Sequence, residues 1–87
     1  MRVAVDISLY PLDQDFLTPI RDVIERLKAN TALEVITNPM STQIRGEYGE
    51  VMAALSQEIR VSFEQTPKAV FVIKILNNPL GEQTGNG

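Results

Sequence analysis

Eighty-seven residues with a net charge of −3, 44% apolar and 22% charged, describe one small globular domain without the basic surface that nucleic acid requires. The chain has no Cys, His or Trp, which removes disulfides, thiolate and imidazole chemistry, the commonest metal ligands and an indole stacking platform. No apolar run approaches the ~18 residues of a membrane span, and the opening residues 1–6 have no signal-peptide core, so the expected compartment is the cytoplasm. A chain this short buries only about 60–65% of its unfolded surface, so a homo-oligomer, dimer or tetramer, is expected.

In residues 2–10, Val3, Val5, Ile7 and Leu9 alternate with Ala4, Asp6, Ser8 and Tyr10. This period of two is that of a strand with one apolar and one mixed face, and Pro11 ends it. The spacing predicts a helix over 18–29. Thr18 is placed to cap it, Pro19 to sit at its first position, and Phe16 to fold back as a staple. Ile20, Val23, Ile24 and Leu27 form its stripe with Phe16, Lys28 suits the dipole, and Asn30 is expected as a left-handed stop.

Residues 33–37 read as a short β-branched strand, and 42–46 as a weaker one broken by Gly46. Pro39 between them removes a ladder donor, so the turn is expected to be irregular or wide. A second helix runs from Glu47 to about Gln65, with Tyr48, Val51, Met52, Leu55, Ile59 and Phe63 on one stripe. Glu47 and Glu50 suit its N-terminus, and Gly49 is a weak point in its first turn. Residues 69–76 are nearly all apolar, the pattern of a strand buried on both faces, with Lys74 as the exception. The Asn-, Gly- and Pro-rich segment 77–87 is expected to be a mobile tail, leaving 1–76 as the domain.

The order β-α-β-β-α-β predicts an α+β, ferredoxin-like βαββαβ fold, a four-stranded antiparallel sheet with two helices on one face. The first strand is then expected between the third and the fourth, with the second at an edge. Asp6, Ser8, Val70, Val72 and Lys74 would point to the face without helices. An apolar patch there marks an interface, through sheet-to-sheet or edge-to-edge association.

The segment Thr37-Asn38-Pro39-Met40-Ser41-Thr42-Gln43 concentrates hydroxyls, amides and a thioether in one turn. Such a set supplies donors and acceptors without a reactive group, which suits recognition of a small molecule better than its transformation. With Val5-Asp6-Ile7-Ser8-Leu9-Tyr10-Pro11-Leu12 before it and Gly46-Glu47-Tyr48 after it, this segment resembles the small thiamine-binding protein family over residues 2–76. The resemblance implies a ferredoxin-like module that binds thiamine or its hydroxymethylpyrimidine half, with no enzymatic step and no cofactor. Pro39 stands where a glycine is common in that family, and Gly49 where an acid is common.

A site for such a ligand needs a carboxylate near the thiazolium cation, hydrogen-bonding groups along the pyrimidine edge and a flat or polarizable wall. Asp6 or Glu47 can supply the charge. Ser8, Thr37, Asn38, Ser41 and Thr42 can supply the hydrogen bonds. Tyr10, Tyr48 and Met40 can supply the wall. Each residue also has a plainer role. Asp6 and Ser8 can solubilise a sheet face or meet Lys74, the turn hydroxyls can satisfy local backbone, Tyr48 can be core, and Glu47 can start a helix. Two other functional classes compete. One is an oligomeric regulatory or protein-interaction module without a small ligand. The other is an enzyme with Asp6 and Lys74 as an acid–base pair, ranked last because His and Cys are missing.

Overall fold

The computed structural model of the protein describes residues 1–77 and 79. Its elements are β1 (Arg2–Pro11), α1 (Leu17–Ala29), β2 (Glu34–Thr37), β3 (Thr42–Glu47), α2 (Tyr48–Gln65) and β4 (Ala69–Asn77). The strands form one sheet in the order β2-β3-β1-β4, with every neighbouring pair antiparallel. This is the ferredoxin-like α+β fold that the element order predicts. β1 is central because both its edges are paired, to β3 on one side and to β4 on the other.

The period of two in β1 determines which face the helices cover. Val3, Val5, Ile7 and Leu9 are all buried, and they form the core with Ile44 of β3, Val23 and Leu27 of α1, and Val51 and Leu55 of α2. Side chains this enclosed each contribute roughly 1.5–3 kcal/mol of hydrophobic stabilisation. Ile44 is central to this layer, facing Val5 on one side and Val35 on the other.

Several boundaries differ from the sequence reading, each for a local reason. α1 starts at Leu17 with Phe16 as its N-cap, so Pro19 is its third residue rather than its first. No N-cap side chain bonds the helix; the Asp15 carboxylate accepts from the Thr18 N–H at 3.2 Å instead. Phe16 is exposed and does not staple the turn. Asn30 ends the helix in extended backbone (φ −83°, ψ 104°) rather than in the left-handed region, and its Oδ1 accepts from the Ala32 N–H at 3.0 Å. Pro11 is the last paired residue of β1, opposite Ala69.

Gly46 does not break β3. It is paired with Val3, and the strand continues to Glu47. A Cβ at Gly46 would lie 3.2 Å from both the Leu33 and the Val51 side chains, so the glycine serves close approach rather than a turn. Along α2, Val51 and Leu55 are buried, but Tyr48 and Phe63 at the ends of the expected stripe are half-exposed. The buried face includes Glu58 and Ser62 instead, and the Glu58 carboxylate accepts from Nε of Arg26 on α1. Phe63 packs at a tilt of 57° on Phe71 of β4, with ring centroids 5.7 Å apart.

The largest correction concerns β4. It is an edge strand, and none of its residues is fully buried. Phe71 and Ile73 pack partly against the core, while Val70 and Val72 are each 46% exposed on the other side. An unbroken apolar run reads as a doubly covered strand, yet only one face of this strand has helices above it. Lys74 is exposed accordingly, so its ammonium needs no buried partner. Asn77 still pairs with Val3 and Pro79 is buried; the mobile-tail expectation otherwise falls on 78 and 80–87, outside the described residues.

Candidate functional site

The β2–β3 hairpin closes with Thr37 paired to Thr42, leaving the loop Asn38–Pro39–Met40–Ser41. Its conformation is held by one residue. The Asn38 Oδ1 accepts from the N–H groups of Met40 (2.8 Å) and Ser41 (2.9 Å), and the Asn38 N–H donates to the Ser41 carbonyl at 3.0 Å. This is the Asx geometry by which an asparagine replaces missing ladder bonds, here where Pro39 cannot donate. The loop is wide, as the proline requires.

The loop stands beside the end of β1 and the middle of α1, and the three elements enclose a half-open cleft of about 250 Å³. Ile7, Leu9, Ile20, Val23 and Ile24 form its apolar floor. Thr37, Asn38, Ser41 and Thr42 provide its polar side chains, and Pro39 and Met40 stand at its lip; Ser8 and Tyr10 border it along β1, but their side chains alternate to the helix-free face beside Val72 and Val70. Thr42 is buried, whereas Met40 is 86% exposed, so the thioether can swing over a guest but does not wall off the empty cleft. Among the described residues the lining holds no charged side chain.

The structure therefore brings together the side chains of Thr37, Asn38, Met40, Ser41 and Thr42, has Ser8 and Tyr10 at the cleft border with their side chains on the opposite sheet face, and leaves the other candidates elsewhere. Asp6 lies two residues from Ser8 along β1, in a separate hollow with Gln43, Arg45 and Lys74 on the sheet face without helices. Glu47 and Tyr48 are at the opposite end of β3, about 17 Å from Thr42 at ~3.3 Å per residue. There Glu47 is the N-cap of α2. Its Oε1 accepts from the Gly49 N–H at 2.8 Å and the Glu50 N–H at 3.4 Å, and its Oε2 lies 3.9 Å from the N-terminal ammonium. A Cβ on Gly49 would sit 3.1 Å from that capping oxygen, so the glycine accommodates the cap. Among the described residues no carboxylate enters the cleft. Asp6 and Lys74 are cross-strand partners in the register, yet Asp6 Oδ1 has no hydrogen-bond partner. The apolar floor was missing from the candidate list because Ile20, Val23 and Ile24 carry the same helical spacing whether they fill a core or line a cleft.

The family model described as thiamine-binding protein matches residues 5–86. The chain belongs to the thiamine-binding protein family. Solved structures share the fold. A Streptococcus pneumoniae protein is 21% identical with a TM-score of 0.85, covering 94% of this chain and 92% of its own. A hypothetical protein from Methanocaldococcus jannascii is 24% identical with a TM-score of 0.79, covering 98% of this chain and 89% of its own. A Thermotoga maritima protein, described as a candidate for thiamine biosynthesis or salvage, is 21% identical with a TM-score of 0.70, covering 99% of this chain and 92% of its own. No curated protein sequence matches the chain. Membership of the thiamine-binding family gives the chain a thiamine-related role.

Proposed function

We propose that the chain binds thiamine or a related pyrimidine without transforming it, and that the cleft holds the aminopyrimidine half. The observation that carries this reading is the lining itself, an apolar floor under a rim of hydroxyls and amides with no charged group. A flat neutral ring with donors and acceptors along its edge matches that lining. A thiazolium cation does not, because burying its charge in an apolar cleft without a carboxylate is costly. The volume of about 250 Å³ also lies below the ~300–1,000 Å³ of pockets for drug-sized ligands, which favours one ring enclosed and one outside. Thiamine has about eighteen heavy atoms, and at roughly 0.3 kcal/mol each the Kd is on the order of 0.1 mM, fitting a carrier, buffer or sensor in the cytoplasm. The working unit of this reading is a homo-oligomer.

The absence of a reactive group from the rim favours binding over catalysis. Calorimetric titration with thiamine, with its hydroxymethylpyrimidine half and with its thiazolium half tests the reading. Thiamine and the pyrimidine should release heat and raise the Tm, while the thiazolium half should do neither. Silence towards both thiamine and the pyrimidine at millimolar concentration would overturn it in favour of a protein-interaction module.

A further inference from the structure

The cleft leaves half of its guest unaccounted for. A pyrimidine enclosed among neutral groups puts the thiazolium cation of thiamine outside, where an aromatic face and a carboxylate would hold it best. The segment 12–16, which joins β1 to α1, has both. β1 and α1 each line the cleft, so their connection stands at the same end of the sheet as the β2–β3 hairpin, at the mouth of the cleft.

Phe16 is the decisive residue. It precedes Ile20 by four residues and Val23 by seven, the spacing that places it on the face of α1 that forms the cleft floor. The fold does not use it. As N-cap it offers the helix no acceptor, its ring is 53% exposed, and it lies outside the core. Leu17, seven residues before Ile24, extends the same face and is also exposed. The apolar floor thus continues out of the cleft along α1 and ends at an aromatic ring in water. Asp15 directly precedes that ring and Asp13 lies three residues before it, both exposed. Each carboxylate commits Oδ1 locally, Asp13 accepting from the Gln14 N–H at 2.7 Å and Asp15 from the Thr18 N–H at 3.2 Å.

We propose that segment 12–16 is the subsite for the cationic half of the guest, with the Phe16 ring against the thiazolium and the Asp13 and Asp15 carboxylates offsetting its charge. This rests on the reading that the cleft holds the pyrimidine. A cation placed here keeps part of its hydration and gains a negative surround, so it avoids the desolvation that bars it from the cleft. The exposed setting fixes the scale. A ring in water is worth about two- to five-fold in affinity for a cation, and exposed carboxylates add a share that salt screens.

Calorimetry with thiamine and with hydroxymethylpyrimidine, on the wild type, F16A and the double variant D13N/D15N, tests the subsite. Asparagine keeps the acceptor oxygen of each Asp, so the loop and the helix start survive the loss of charge. The wild type should hold thiamine about tenfold more tightly than the pyrimidine at low salt, an advantage that shrinks at about 0.5 M salt. F16A should lose about two- to five-fold in thiamine affinity. D13N/D15N should lose a similar factor together with the salt dependence. Both should keep the wild-type affinity for the pyrimidine and the wild-type Tm. Equal affinities of the wild type for the two ligands, or variants that weaken both ligands alike or neither, would overturn the subsite and leave the cleft reading standing. A wild type that binds neither ligand would overturn both.

Discussion

The two faces of the sheet share their backbone and differ in everything else. On β1, Val3, Val5, Ile7 and Leu9 point under the helices and are fully buried, while Ala4, Asp6, Ser8 and Tyr10 point away and keep partial exposure. The covered face is specified by the chain alone. The open face carries unpartnered Asp6 and Arg45 atoms amid half-exposed Val70 and Val72. A period-two alternation thus separates an apolar face that the helices cover from a mixed face that they leave open.

That contrast can be broken by substitution. The largest effect belongs to the covered face. Ile44→Ala empties the most enclosed site and should cost about 3 kcal/mol in urea denaturation. Next is Glu58→Ala, which removes the acceptor of Arg26 and strands a guanidinium whose Nη2 is already unpartnered, for about 2 kcal/mol by the same measurement. Gly46→Ala pushes a methyl against Leu33 and Val51 where β3 passes beneath α2, and should cost about 1–2 kcal/mol. Asn38→Ala releases two loop N–H groups and should cost about 1 kcal/mol while loosening the cleft rim, so thiamine affinity and Tm should fall together. On the open face, Val72→Ser should change the stability of the dissociated chain by less than about 0.5 kcal/mol.

The sequence made the element order and the strand arrangement legible, because alternation in β1 and the helical stripes are strong periodic signals. It was less informative where one residue type serves two purposes. Gly46 reads as a breaker, yet it is a close-packing position inside β3. The all-apolar β4 reads as doubly buried, yet it lies at an edge with one face bare. Glu58 and Ser62 lie off the apolar stripe expected for the second helix, yet they are buried on the inner side of α2, where Arg26 reaches Glu58. Of the candidate site, the hairpin cluster and its proximity to Ser8 and Tyr10 could be read from the topology. The distance of Glu47 and Tyr48 could also have been read, since they follow β3 at the end opposite the hairpin. Their place in the resembling motif outweighed that geometry.

Backbone amide chemical shifts followed through a titration with hydroxymethylpyrimidine test the central claim most directly. The account predicts that the shifts concentrate at residues 7–10, 20–24 and 37–42, with Gly46, Gly49 and Glu50 almost unmoved. Shifts clustered around Asp6, Arg45 and Lys74 instead, with the hairpin amides still, would contradict it.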